Sequence, residues 1–190
     1  YLIEAMHGII PNEDRQAAEI VLQSMTRDGV QLLCCGKDLK ISSAADVKQL
    51  TVDSHGRHYD ITVDEILVGI GRLPNVEGLG LETVGVQFDK TGVLVNDRLQ
   101  TTNSRIYAAG DICSRYKFTH AADAMARIVI QNALFFGRAK ASALTIPWCT
   151  YTDPEVAHVG LYEAEANQRG IPTQTFVQSL EHVDRAILDG

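Results

Sequence analysis

The stretch Arg105-Ile106-Tyr107-Ala108-Ala109-Gly110-Asp111 decides the fold that the sequence predicts. It is typical of a strand whose small apolar residues end at a glycine and a carboxylate. A helix is predicted over 119–137, and its few charged residues indicate burial on most sides. Because a helix start presents free N–H groups and partial positive charge, Asp111 beside this start predicts a pocket for a phosphate or an anionic ring edge. Taken alone, Gly110-Asp111 fits an ordinary turn equally well.

Residues 1–35 predict a parallel strand-helix-strand crossover. The opening strand is Tyr1-Leu2-Ile3-Glu4, and Pro11-Asn12 predicts the start of a helix that Gly29 ends. A short buried strand over 30–35 follows without a hairpin turn, which is the arrangement of a parallel pair. The predicted apolar face of the helix consists of Ala17, Ile20, Val21 and Met25.

The segment that follows predicts an antiparallel meander and then a fully apolar strand. The meander strands are expected at 39–41, 47–52 and 58–62, and the apolar strand at 65–70. Further on, Asp89-Lys90-Thr91-Gly92 predicts a hairpin turn between strands 86–88 and 93–95.

After Pro147 the pattern changes to that of an α+β domain. The predicted elements are strands at 149–151 and 156–161, a helix over 163–168 and a strand at 173–177.

The composition excludes several classes of partner. The 190 residues carry 17 Lys and Arg against 24 Asp and Glu, a net charge of −7. A nucleic-acid groove or an anionic membrane surface attracts clustered positive charge, so we expect neither partner. No run of 18 apolar residues occurs, so we expect no bilayer-spanning helix and a cytoplasmic location.

The cysteines and histidines predict neither a disulfide framework nor a metal site. Cys34, Cys35, Cys113 and Cys149 do not form a CxxC or CxxxxC pair, and the six histidines show no ligand spacing with them. We expect the adjacent Cys34 and Cys35 to behave as small hydrophobic residues in a buried strand.

Glu4 stands at the carboxyl end of the opening strand. Ligands of open parallel sheets bind outside such ends, where a carboxylate can accept hydrogen bonds from an adenosine ribose. The same charge would repel a 2′-phosphate, which favours NADH over NADPH. A solvated surface carboxylate is the alternative, and the chain contains no GxGxxG loop that would decide between them.

Three motifs carry a family resemblance. They are Val68-Gly69-Ile70-Gly71-Arg72-Leu73-Pro74-Asn75, Thr101-Thr102-Asn103-Ser104 followed by 105–111, and the segment 151–161 with Tyr151-Thr152-Asp153-Pro154-Glu155. In this order they resemble the pyridine nucleotide-disulfide oxidoreductases, closest to the mercuric reductase and dihydrolipoamide dehydrogenase branch. Val183-Asp184-Arg185-Ala186 is slightly more similar to the mercuric side.

The resemblance implies a relay in which NAD(P)H passes hydride to FAD and the electrons continue to a redox disulfide. Glu4 and Gly71 would contact the nicotinamide cofactor, which is expected to be NAD(H) rather than NADP(H). The residues expected to contact FAD are Gly110, Asp111, Lys117, Phe118, Thr119 and His120. The segment from Tyr151 onward would open an interface used for homodimerisation.

The fold class that follows is α/β with three parts. We expect a partial Rossmann-like NAD(H)-binding domain with a β-meander at 1–71, the second part of a split FAD domain at 72–145, and the start of an α+β interface domain at 146–190. The family's redox cysteine pair, its His-Glu acid-base pair and its glycine loops are not in this chain. We therefore expect an internal fragment without a catalytic residue of its own that is inactive by itself.

Two other functions remain open at this point. A flavin-dependent NADH oxidase or ferredoxin-type reductase shares the nucleotide motifs without using a protein disulfide. A non-catalytic nucleotide-binding module would have no need of the missing residues.

Overall fold

The computed structural model describes residues 1–44 and 47–189. They form two compact units, Tyr1–Val159 and a second that begins at Gly160. None of the described helices is both long and apolar enough to cross a membrane.

The first unit opens with the predicted parallel crossover. Strand β1 (Leu2–Ile3) pairs with β2 (Leu32–Leu33), and helix α1 (Arg15–Arg27) lies between them in the chain. The expected helix start at Pro11-Asn12 is wrong, because Asp14 is the capping residue. Its carboxylate accepts the N–H groups of Gln16 and Ala17 at 2.8 and 3.1 Å.

Helix α1 buries a narrower face than predicted. Ala18 and Val21 are buried with Ile9 and Val156, whereas Ile20 is 56% exposed. Successive residues of a helix are rotated by about 100° around its axis. Ile20 is therefore turned away from the face on which Val21 is buried.

The meander is confirmed. Strands β3 (Lys37–Ala44), β4 (Val47–Ser54) and β5 (Arg57–Val63) form an antiparallel sheet in that order. Val52 and Ile61 pack with Leu33 of β2, so the meander and the crossover share one apolar cluster.

The predicted strand over 65–70 is wrong. This segment pairs with no strand in the part of the chain that the structure describes, and Leu67 and Ile70 are 98% and 93% exposed. An apolar run becomes a strand only where a neighbour supplies ladder hydrogen bonds, and no such neighbour stands beside it here.

The hairpin around 89–92 is confirmed with shorter strands, β6 (Phe88–Asp89) and β7 (Gly92–Val93). The strand predicted over 105–111 is wrong. Tyr107 makes a single bridge to Gln100, and Gly110–Ile112 is a 3-10 turn. Ile106 and Ala108 each make one backbone hydrogen bond around this bridge, which is too little for a continuous ladder. Two further 3-10 turns lie at Glu82–Val84 and Ala141–Ala143.

Helix α2 (Thr119–Leu134) ends before the predicted Gly137 and is buried on one face only. Ala121, Met125 and Ile128 are buried, with Leu99 beside the last two, while Ile130 and Leu134 are 51% and 69% exposed. The expectation of burial on most sides is wrong, because the neighbouring described residues cover a single face.

The last elements agree with the prediction except at one strand and one helix. Strands β8 (Trp148–Thr150) and β9 (Val156–His158) pair antiparallel in the first unit. The second unit contains α3 (Glu163–Gln168), as predicted, and α4 (Asp184–Asp189), which was not. The strand predicted at 173–177 is wrong: this segment is irregular, and Phe176 is 82% exposed.

Candidate functional site: a glycine turn at a helix start

A glycine turn lies directly against helix α2. Gly110 is buried and has a φ of +80°, a conformation that residues with a Cβ rarely adopt. A Cβ at this position would lie 2.9 Å from the Cβ of Ala122 in the first turns of α2. The turn and the helix therefore approach each other as closely as the backbone allows.

Asp111 follows in the same turn with its side chain exposed to solvent. Its carboxylate forms no hydrogen bond with the described residues, whereas its backbone carbonyl accepts one from Lys117 Nζ at 2.8 Å. Lys117 Nζ also binds the carbonyl of Ser114 at 3.0 Å. The lysine thus stabilises the loop between the turn and the helix start through two hydrogen bonds. Asp111 lies near that start, as predicted.

The N-terminus of α2 has no side-chain cap. Phe118 occupies the capping position, and its ring stacks on that of His120 with centroids 5.4 Å apart. His120 Nε2 lies 2.7 Å from the carbonyl oxygen of Pro147, which ties the helix start to the segment before β8. The first N–H groups of the helix, from Thr119 on, are therefore left for water or a ligand.

Gly71 precedes a residue that contacts the loop before α2. Its φ is +110°, and a Cβ placed on it would have no neighbour within 4 Å. The next residue, Arg72, donates a hydrogen bond of 3.4 Å to the carbonyl of Lys117. Sequence reasoning did not single out Arg72, since no local pattern reveals a contact across 45 positions.

Glu4 lies where the crossover predicts it, just after β1. Its Oε1 accepts the N–H of Met6 at 2.8 Å, and its backbone N–H donates to Leu33 at the end of β2. The carboxylate is half-buried, so one oxygen is oriented by the loop and the other can accept a further hydrogen bond. These features fit an adenosine ribose hydroxyl as the donor.

The loop after Glu4 has no permanently charged cation. Residues 5–14 contain neither Lys nor Arg. The first arginine, Arg15, donates to the carbonyls of Ile9, Ile10 and Glu13, which orient its guanidinium toward the backbone.

Cys113 stands one residue beyond the glycine turn. Desolvation by burial raises the pKa of its thiol to about 11, although the Lys117 charge acts in the opposite direction. The thiol lies 3.6 Å from the carbonyl oxygen of Gly110. At neutral pH Cys113 is protonated and poorly nucleophilic, which fits the predicted loop thiol.

Comparison with known proteins assigns the family. The model of the pyridine nucleotide-disulphide oxidoreductases matches residues 1–126, and that of the family's dimerisation domain matches residues 146–190.

A mercuric reductase of Staphylococcus aureus is 34% identical over 189 residues, which are 99% of this chain and 35% of that protein. A dihydrolipoyl dehydrogenase of Thermus scotoductus is 34% identical over 172 residues, 89% of this chain and 37% of that protein. The chain thus spans about a third of the length of these curated relatives.

Similarity to solved structures supports the same family assignment. LpdA of Mycobacterium tuberculosis superposes with a TM-score of 0.86 at 26% identity over 98% of this chain and 40% of its own. The HOCl-induced flavoprotein disulfide reductase RclA of Escherichia coli gives a TM-score of 0.83 at 27% identity, covering 98% of this chain and 42% of its own. With its mixed α/β fold and both family models matched, the chain belongs to the pyridine nucleotide-disulphide oxidoreductase family.

Proposed function

We propose that this chain is the nucleotide-binding part of an oxidoreductase in which hydride passes from NADH to FAD and electrons pass on to a redox disulfide. The observation that carries the proposal is the unpaired Asp111 carboxylate beside the uncapped start of α2. FAD, when bound, supplies the acceptor that takes two electrons from NADH and hands them on. The four cysteines of the chain include no CxxxxC pair, so we expect this chain by itself to reduce no disulfide.

The flavin contacts follow from the chemistry of the turn. The Asp111 carboxylate is an acceptor for hydroxyl groups, such as those of the ribityl chain, and Gly110 leaves its backbone open to close approach. The N–H groups of Thr119 and His120 suit the electron-rich pyrimidine edge of the ring, where the helix start stabilises negative charge. Lys117 and Phe118 fix this entrance through the loop and the stacked ring.

The nicotinamide cofactor is proposed to be NADH. Glu4 offers an acceptor to the adenosine ribose, and the same negative charge disfavours the 2′-phosphate of NADPH. The orientation of Arg15 toward backbone carbonyls supports this preference, because residues 5–14 contain no Lys or Arg that would offset the charge. Gly71, next to Arg72 and its bond to Lys117, would lie along the nicotinamide half.

The proposed domains are 1–71 for NAD(H), 72–145 for FAD and 146–190 for the interface. The match of 146–190 to the dimerisation domain supports a homodimer of the complete protein. The relatives include mercuric reductases and dihydrolipoyl dehydrogenases, so the proposed final acceptor is a metal ion or a disulfide reached through a protein disulfide.

The flavin half of the proposal is tested by titrating the 190-residue chain with FAD and following flavin fluorescence anisotropy. We expect Asp111→Asn to weaken FAD binding by about tenfold or more, a change of about 1.4 kcal/mol. Asp64→Asn is the matched control, because Asp64 is exposed and its side chain makes no hydrogen bond with the described residues. Equal FAD affinity in the Asp111 variant and the control would refute the proposed site.

The nicotinamide half is tested separately with NADH and NADPH in the same chain. We expect NADH to bind more tightly, and Glu4→Gln to reduce the preference because it removes the charge and keeps one carbonyl oxygen. Glu77→Gln changes an exposed carboxylate elsewhere and should leave the preference as it is. A preference for NADPH in the unaltered chain would contradict the role given to Glu4.

A further inference from the structure

A cluster of soft ligand atoms lies at the carboxyl ends of β1 and β2. A ring nitrogen of His7, Cys34 Sγ and Cys35 Sγ all lie within 4.8 Å of one another, and His7 Nδ1 is 3.5 Å from Cys35 Sγ. His7 is 27 positions or more from either cysteine along the chain, so no sequence spacing indicates the group. The expectation that Cys34 and Cys35 lie in a buried strand is wrong: both are half-buried and follow β2.

The backbone brings these side chains together independently of their own contacts. The N–H of Cys35 donates to the carbonyl of Met6 at 3.1 Å, and that of Gly36 donates to Glu4 at 2.9 Å. Two backbone bonds therefore join the loop after β1, just before His7, to the loop after β2 at Cys35 and Gly36. Cys35 has a φ of +55°, a strained conformation that these backbone bonds maintain.

Residues of the meander and of its turn contact Cys34. Ser54, which is buried at the end of β4, donates its hydroxyl to the carbonyl of Cys34 at 2.6 Å. In the turn that follows, His55 places its Nε2 2.9 Å from Cys34 Sγ. Three separate segments thus converge on the two sulfur atoms and surround them with two imidazoles.

A disulfide between the two cysteines is geometrically unfavourable. The peptide bond between them is trans, and Cα atoms across a trans peptide are about 3.8 Å apart, whereas disulfides span about 4.4–6.8 Å. Both sulfurs are consequently available as ligands.

We propose that His7, Cys34 and Cys35 bind one thiophilic cation of the Zn(II) class. Two sulfurs and one imidazole suit Zn(II), whose structural and catalytic sites are built from these donors, and they do not suit Mg(II) or Ca(II), which prefer oxygen. Each thiol that binds releases its proton to solvent, and a tetrahedral ion keeps a fourth position for water or for His55. The site shares the loop after β1 with Glu4, but its argument uses none of the proposed nucleotide contacts.

Co(II) is the probe, since it takes the same tetrahedral sites as Zn(II) and absorbs light. The 190-residue chain, reduced and freed of metal, is titrated with Co(II) under nitrogen. We expect one Co(II) per chain, with intense thiolate charge-transfer absorption and the d–d bands of a tetrahedral ion. Zn(II), added afterwards, should displace Co(II) and remove the colour, because Zn(II) stands higher in the affinity order.

Substitution of each proposed ligand tests its contribution to metal binding. We expect Cys34→Ala and Cys35→Ala to lower the Co(II) affinity by more than the roughly 10–100-fold that loss of an outer-shell partner costs, and to weaken the charge-transfer band. His7→Ala should lower the affinity and keep that band. Cys149→Ala removes a half-buried cysteine of β8 and serves as the control with unchanged binding. Circular dichroism establishes that each variant is folded.

Three results would overturn the proposal. One is Co(II) binding without thiolate absorption, and another is binding that Cys34→Ala and Cys35→Ala leave unchanged. The third is a reduced, folded chain that takes up no Co(II) or Zn(II). None of these outcomes bears on FAD or NADH binding, so the two proposals fail separately.

Discussion

Glu13 Oε1 accepts a hydrogen bond of 2.9 Å from the indole N–H of Trp148, a residue 135 positions further along the chain. The same oxygen accepts the hydroxyl of Thr150 at 2.7 Å. Glu13 lies just before α1 and both donors lie in β8, so one carboxylate joins the crossover to the last hairpin of the first unit. Val156 of β9 also belongs to the buried apolar cluster that contains Val21 of α1.

Loss of the Glu13 carboxylate should destabilise the first unit. Glu13→Ala leaves the Trp148 and Thr150 donors without this acceptor in a half-buried place, and we expect a loss of about 1–3 kcal/mol in the free energy of unfolding. Chemical denaturation followed by fluorescence measures it, because Trp148 is the single tryptophan. Glu13→Gln keeps a carbonyl acceptor and should lose less; equal stability of the Ala variant and the unaltered chain would contradict the link.

Gly92 should tolerate no side chain. A Cβ there would lie 2.0 Å from the carbonyl oxygen of Ile112 in the glycine turn. We expect Gly92→Ala to cost more than about 3 kcal/mol, since overpacking adds to the strain of a positive φ.

The matched control is Gly85→Ala. Gly85 also has a positive φ, +70°, but open space around it, so its substitution should cost only about 1–2 kcal/mol. Thermal unfolding of both variants separates crowding from backbone strain. Similar losses in the two variants would show that the hairpin and the turn are not in contact.

Cys113 should react slowly with thiol reagents until the pH is high. Its pKa of about 11 against an ordinary 9.0 leaves about 100-fold less thiolate at pH 8. Alkylation rates between pH 7 and pH 11 check this in a chain whose other cysteines, Cys34, Cys35 and Cys149, are replaced by alanine. We also expect Lys117→Met to slow the reaction further, because the lysine charge lowers the pKa of the thiol.

The same shift makes stability depend on pH in one direction. The unfolded chain loses the Cys113 proton near pH 9 and the folded chain only near pH 11. The contribution of this thiol to stability is therefore complete below pH 9 and is lost as the pH rises toward 11. An unfolding free energy that is less sensitive to alkaline pH in Cys113→Ala would agree; reactivity of the folded thiol with a midpoint near pH 9 would not.

The 190-residue chain should self-associate. Leu67, Ile70 and Leu73 are 98%, 93% and 88% exposed in one segment that pairs with no described strand. Contiguous exposed apolar surface of this kind favours association with another copy. Light scattering over a range of concentrations should show a rising mean mass. Leu67→Ser with Ile70→Ser should reduce the effect, whereas Ile20→Ser on α1 should not; a monomer at every concentration would refute the expectation.

Local patterns were sufficient for several elements. Helix α3 has the predicted bounds, and the pairing of Leu2 with Leu32 confirms the parallel crossover. The meander and the hairpin at Gly92 were also predicted. Their turn residues and their alternation of apolar and polar residues are local features of the sequence. The capping residue of α1 was misplaced by two positions, since both Asn12 and Asp14 are suitable caps and only the path of the loop selects one.

The sequence by itself determined the family and the order of its motifs, because each motif is a run of neighbouring residues that can be recognised without the tertiary structure. Only the tertiary structure decided that residues 65–70 find no strand partner among the described residues, that Gly92 lies against Ile112, and that His7 lies near Cys34 and Cys35. A ladder, a steric contact and a ligand cluster each need two distant segments at one place in space. The sequence gives the identity and order of the residues, and the folded structure determines which of them lie close together in space.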